Sequence, residues 1–156
     1  MNPLVLVQAT FFIGYIIHVI NKVGIQKSIS YSWYVIPNKG MFHAFAAGVG
    51  FPMLLYSKYI RDEFTVLLFA LAGFFMWFLS VSIVVKQAKY VLIIHYICTF
   101  AVIGLTFWGI IRHFNDYSTL ITAAIGTIAI ALFGKNKLWW IEIWIFFVII
   151  FKLIQL

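Results

Sequence analysis

Three histidines and one glutamate stand out in this chain, because each falls inside an apolar stretch: His18, His43, His95 and Glu142. An ionisable group within an apolar helix is costly unless it faces the protein interior or a partner. Imidazole nitrogens and carboxylate oxygens are ligands that zinc and iron accept in proteins. The four residues are therefore a candidate site, with the three histidines as metal ligands and Glu142 as the catalytic base.

Each of the four residues lies a short distance from a lysine that borders its apolar stretch. His18 precedes Lys22, His43 follows Lys39, His95 follows Lys89, and Glu142 follows Lys137. At a helical rise of about 1.5 Å per residue, the four groups sit roughly 6 to 9 Å inside those lysines. All four lysines belong to odd-numbered loops of a six-span topology. That topology therefore predicts that the four groups share one membrane leaflet.

Three functions fit such a polar layer. A bound zinc or iron ion could activate water, which would make the protein a metal-dependent hydrolase of membrane lipid. A chain of histidine and glutamate could instead relay protons in a small transporter or channel component. In the third interpretation, which we favour, the histidines hydrogen-bond locally and Glu142 pairs with a lysine or histidine, so the function is non-enzymatic and undefined. No H-E-x-x-H, G-x-S-x-G, C-x-x-C or P-loop motif strengthens the enzymatic alternatives.

The composition is typical of an integral membrane protein. Hydrophobic residues make up 65% of the chain, charged residues 10% and aromatic residues 20%. A soluble domain averages about a quarter charged residues. The formal charge of +7 comes from basic residues scattered between apolar blocks, so we expect the lipid bilayer rather than nucleic acid as the partner. Cys98 is the single cysteine, which excludes an intrachain disulfide.

Charged and turn-forming residues divide the chain into six apolar blocks, and a helix needs about 20 residues to cross a bilayer. We predict an all-α fold, one transmembrane domain over residues 1–156 with six helices. The fifth block is short, so five spans remain an alternative. The predicted spans are Leu4–Ile20, Met41–Ser57, Phe64–Val85, Val91–Ile111, Ser118–Phe133 and Leu138 to the carboxyl terminus.

The residues around the blocks predict how they pack. Small residues in the run AFAAGVG and in the fifth block mark close helix contacts. Ser28 or Ser30 could cap a short surface helix in the long first loop. Trp140 and Trp144 lie on the opposite side of their helix from Glu142, and tryptophan favours the lipid interface. We therefore expect Glu142 to face the bundle interior.

Loop charges predict the orientation. Odd-numbered loops carry seven of the 11 lysines and arginines, against four on the other side. The positive-inside rule then places the odd loops in the cytoplasm and both termini outside, in a cell membrane. A homo-oligomer is an open alternative, because a chain of 156 residues would need partners to enclose a wide pathway.

Three stretches resemble a group of small polytopic membrane proteins of bacteria and their phages: GIQKSISYSWY, FHAFAAGVGFP and KYVLIIHYICTFAVIG. The loop pattern of that group, G-I-x-x-S-I-S-x-S-Y-Y, is matched from Gly24 to Tyr34, with Trp33 in place of the first tyrosine. A later histidine is matched by His95, and Cys98 and Thr99 replace the small residues that follow it. The resemblance implies a helical membrane fold and carries no activity.

The inventory of three histidines and one acidic residue is also similar to that of membrane hydrolases related to alkaline ceramidase. Those enzymes use three histidines, an aspartate and a serine around zinc. Glu142 would take the place of the aspartate, although the histidine spacing and the number of spans differ. This similarity shapes the lipid-hydrolase alternative.

Overall fold

The computed structural model describes residues 2–82 and 89–156, without the side chains of residues 57, 82 and 89–92. These residues form α-helices, one short 3-10 helix and connecting turns, and no strand occurs among them. The predicted all-α class is therefore confirmed. The α-helices are α1 (Pro3–Val23), α2 (Ile29–Val35), α3 (Gly40–Leu54), α4 (Glu63–Ser82), α5 (Lys89–Phe114), α6 (Ser118–Phe133) and α7 (Lys137–Leu153).

All helices except α2 coincide with the predicted apolar blocks to within a few residues, and α6 has the predicted bounds. The end of the third block and Lys86 lie outside the described residues. Within the described chain, three segments are long and apolar enough to cross a membrane: Pro3–Val23, Glu63–Val81 and Ile93–Phe114. The helices α3 and α6 are apolar but shorter.

Successive long helices run antiparallel. In the α4–α5 pair, Asp62 before α4 reaches Arg112 at the end of α5. In the α6–α7 pair, the turn at residues 134–136 returns the chain through Asn136, whose φ is 51°. The predicted hairpin between the last two blocks is therefore present. The helix α3 packs between α1 and α4, while α7 touches α1, α2 and α5 and closes the bundle.

Small residues lie at the closest helix contacts, as the sequence predicted. A Cβ added at Gly50 of α3 would lie 2.8 Å from the carbonyl oxygen of Gly73 in α4. A Cβ at Gly126 of α6 would overlap the indole of Trp144 in α7. Glycine is therefore required for α3 to approach α4, and for α6 to approach α7, at these separations.

The first long loop contains α2, which is packed into one end of the bundle. Ser28 is its N-cap, and its Oγ accepts a hydrogen bond of 2.9 Å from the backbone N–H of Tyr31. The expected cap is confirmed at Ser28. One face of this short helix is buried, at Ile29 and Ser32, while Tyr34 and Val35 are exposed. The hydroxyls of Tyr15 in α1 and Ser32 are 2.5 Å apart, and this hydrogen bond ties α2 to the first helix.

Candidate functional site

The candidate site is a small cavity in the interior of the bundle, beside the amino-terminal end of α2. Its volume is about 40 Å³, which is room for about three water molecules. Five helices line it: α2, α3, α4, α5 and α7. The lining is almost entirely apolar and aromatic, and its polar members are Ser30, Thr99 and Glu142. Glu142 is the single titratable side chain among the described residues of the lining.

Glu142 is held against α2 by a hydrogen bond between distant parts of the chain. The backbone N–H of Ile29 donates to its Oε2 at 2.5 Å. The first N–H groups of a helix have no partner within the helix, so an acceptor outside α2 must satisfy them. Ser28 Oγ serves the N–H of Tyr31 and Glu142 serves that of Ile29. The carboxylate therefore contributes to the cap of α2 and joins this helix to α7.

The expected inward orientation of Glu142 agrees with its place in the cavity wall. The two tryptophans that flank Glu142 in the sequence, Trp140 and Trp144, differ in their exposure and contacts. Trp140 is exposed, as expected, whereas Trp144 lies against Gly126 of α6 and its Nε1 donates to the carbonyl oxygen of Thr122 at 3.3 Å. Trp144 is half-buried, because its indole fills the space that a glycine leaves on the neighbouring helix.

The three histidines lie in the half of the bundle that contains α2, but they do not form one site. Across the described residues, no three histidine, cysteine, aspartate or glutamate side chains are close enough together to hold a metal ion. The sequence expectation of a zinc or iron site made by His18, His43 and His95 therefore receives no geometric support here. A metal-binding role for any one of them stays a prediction.

Each histidine has its own local environment. The ring of His43 packs edge-on against Trp33 of α2, with ring centroids 4.8 Å apart. The carbonyl oxygen of His95 accepts a hydrogen bond of 2.9 Å from Thr99 Oγ1. His18 Nε2 and His95 Nδ1 are buried and have no hydrogen-bond partner within the described part of the chain. These two nitrogens do not show the local hydrogen bonds that were expected, and His43 has a ring contact instead. The partner found for Glu142 is the backbone N–H of Ile29 rather than a lysine or histidine.

A second polar link, which sequence reasoning missed, lies towards the opposite end of the bundle. Gln8 of α1 is buried, and its Nε2 donates to the carbonyl oxygen of Val49 in α3 at 2.6 Å. The hydroxyl of Tyr56 donates to Gln8 Oε1. The signal in the sequence was a single amide side chain in an otherwise apolar run. Such a group is buried only when it has hydrogen-bond partners.

Two ion pairs lie at that same end, outside the apolar helix centres. Arg112 Nε and Asp62 Oδ2 are 2.7 Å apart, and Lys152 Nζ and Asp116 Oδ2 are 2.8 Å apart. Hydrogen bonds from the basic partner, and then from Thr65 or Ser118, hold the pKa of each aspartate well below its usual range. The pair of Asp116 and Lys152 joins the start of α6 to the end of α7.

Comparisons with protein-family models, with curated proteins and with solved structures found no match to this chain. The function is therefore inferred from the geometry of the cavity at Glu142.

Proposed function

We propose that this chain is a six-span integral membrane protein and a small proton-linked transport component, in which Glu142 takes up and releases the proton. The observation that carries the proposal is the position of Glu142. Its carboxyl group lies in an apolar cavity lined by five helices and is held there by the backbone N–H of Ile29.

The membrane location is supported by the outer surface of the bundle. Large apolar side chains are exposed along α1, α4, α5, α6 and α7, and Phe100 and Phe133 are 72% and 87% exposed. In water this surface would be an aggregation hazard, whereas hydrocarbon solvates it. The helices α3, α6 and α7 pack against the three longer ones, which favours six spans. The lysine-rich odd loops then face the cytoplasm.

The chemistry of the cavity favours a proton as the transported species. A carboxylate removed from water is expensive as an anion unless it is paired, so a carboxyl group in such a place readily carries a proton. No second titratable side chain stands among the described residues of the lining. A volume of about 40 Å³ admits water and protons but excludes most organic solutes.

The short helix α2 supplies a way to couple protonation to movement. Glu142 is the acceptor that satisfies the first N–H of α2, and a carboxylate accepts this hydrogen bond more strongly than a neutral carboxyl group does. Proton uptake would therefore loosen the contact between α2 and α7. In a homo-oligomer, the same loosening in each copy would act on a shared pathway.

The test is proton flux into vesicles that contain the purified protein. A pH-sensitive dye inside the vesicles reports acidification when a potassium gradient with valinomycin drives proton entry. We expect wild-type flux well above that of empty vesicles and its loss in Glu142→Gln, which keeps a hydrogen-bond acceptor but cannot titrate. Glu63→Gln is the matched control, since Glu63 is the only other glutamate and is exposed at the start of α4.

Three results would refute the proposal. Wild-type vesicles no more permeable to protons than empty ones would remove the transport function. Undiminished flux in Glu142→Gln would remove Glu142 from the pathway. If instead the purified protein carried one tightly bound zinc or iron per chain, lost on substitution of His95, the hydrolase alternative would replace this one.

A further inference from the structure

A second cavity lies between α5 and α6, and it shares Ile103 and Ile145 with the lining of the one at Glu142. It is an open groove of about 550 Å³. Although α5 and α6 follow one another in the chain, α6 packs along α7 and touches α5 much less. Ile103 and Phe107 of α5 form one wall, Leu120 and Ala123 of α6 form the other, and α7 contributes Ile145. The groove is therefore built into the way the two helices diverge.

The lining of the groove is apolar, with aromatic residues towards one end. Trp108 and Tyr117 lie near the turn that joins α5 and α6, and both are more than half exposed. Rings with one polar atom favour the boundary between hydrocarbon and headgroups. A Cβ added at Gly104 would meet no atom within 4 Å. This part of the α5 wall therefore faces open space.

We propose that this groove binds one acyl chain of a bilayer phospholipid. The proposal rests on the membrane location proposed above. Both walls are then spans, so the medium at the groove is hydrocarbon. If the groove were empty, the side chains that line it would lack van der Waals contacts on one side. A flexible methylene chain supplies these contacts and needs no polar partner. The aromatic end places the headgroup near the α5–α6 turn, next to the ion pair of Asp116 and Lys152.

The size and wall of the groove match this occupant. Pockets of about 300 to 1,000 Å³ with mainly apolar walls are typical of sites for small hydrophobic ligands. Thr127 is the one aliphatic hydroxyl in the lining, and the groove holds no charged side chain among its lining residues. Recognition of the chain rather than the headgroup is expected, so a zwitterionic lipid should bind.

The experiment counts lipids bound to the intact protein. Purified protein is stripped of lipid in detergent, exposed to dioleoylphosphatidylcholine and examined by native mass spectrometry. We expect one retained lipid per chain in the wild type. Gly104→Leu, which fills the groove from the α5 side, should lower the retained fraction about tenfold or more. Ala124→Leu fills it from the α6 side and should act in the same direction.

Gly14→Leu is the matched control, because a Cβ at Gly14 in α1 also meets no atom within 4 Å but lies outside the groove. It should retain the lipid. Equal retention in all variants would overturn the proposal, as would a wild type without lipid. A lipid-free dimer that Gly104→Leu dissociates would overturn it in favour of a second copy. Extraction of the wild-type protein from membranes by carbonate would refute the membrane location itself, so the two failures are distinguishable.

Discussion

Gly50 of α3 and Gly73 of α4 face each other, and the backbones of the two helices are in direct contact there. A Cβ on Gly50 would lie 2.8 Å from the carbonyl oxygen of Gly73, and a Cβ on Gly73 would lie 2.5 Å from that of Gly50. The nearest obstructing atoms are backbone, which a side-chain rotation cannot move, and the Cβ atoms of Met76 and Met53 lie next at 3.2 and 3.1 Å. The separation of the two helices is therefore set by the absence of both side chains.

Gly73→Ala should destabilise the bundle by about 1–3 kcal/mol, because the added methyl forces the two backbones apart. The unfolding midpoint in detergent measures this effect. Gly104→Ala is the control, since its Cβ meets open space and alanine is the better helix former. Its stability should be unchanged or slightly higher. An equal gain in stability in both variants would mean that helix propensity, not the contact between α3 and α4, decides.

The hydrogen bond from the backbone N–H of Ile29 to Glu142 has a structural role, the capping of α2. Substitutions at Glu142 can separate this role from the protonation of the carboxyl group. Glu142→Leu removes the acceptor for the N–H of Ile29 and should destabilise α2 by about 1–2 kcal/mol, as loss of a helix cap does. Amide hydrogen exchange at residues 29–31 should become faster. Glu142→Gln should stay close to the wild type, because an amide oxygen can accept the same bond. Slow exchange in the leucine variant would show that Ser28 suffices as the cap.

Gln8 and Tyr56 form a buried pair suited to a double-mutant cycle. Gln8→Leu leaves the Tyr56 hydroxyl without its acceptor and should cost about 1–3 kcal/mol. Adding Tyr56→Phe removes the orphaned hydroxyl and should recover part of that loss. Thermal unfolding of the four proteins gives the coupling free energy. Strict additivity of the two substitutions would contradict the pairing of these side chains.

The two aspartate ion pairs predict acid sensitivity at one end of the bundle. The usual pKa of an aspartate is 3.8, and in the folded protein the pKa of Asp62 and of Asp116 lies below it. Each pair therefore contributes stability that is present above about pH 4 and is lost as the pH falls through the lowered pKa. Unfolding midpoints measured from pH 7 down to pH 2 should show this decline.

Asp62→Asn should flatten the acid decline, because its paired carboxylate is then absent. Its pair with Arg112 is exposed, so added salt should weaken the contribution of this pair at neutral pH. The pair of Asp116 and Lys152 is less exposed, so added salt should weaken its contribution to stability less. A pH profile identical to that of the wild type in Asp62→Asn would show that this pair does not stabilise the fold.

The helices themselves could be predicted from the sequence, because an apolar stretch of sufficient length forms a helix for local reasons. The segment Ser118–Phe133 was predicted with the bounds that α6 has. The small residues at helix contacts and the cap at Ser28 were also predictable, since each reflects a short-range preference. The inward orientation of Glu142 followed from the tryptophans on the other side of its helix.

Only the tertiary structure decided which side chains meet. Helix rotation and the choice of neighbours depend on packing between segments far apart in the chain, which no local pattern encodes. That is why Trp144 turned out to cover Gly126, and why the three histidines share one half of the bundle without clustering as a group. It is also why Glu142 caps a helix that begins 113 residues earlier. Composition and pattern determined the helical fold class, and packing determined which side chains lie together.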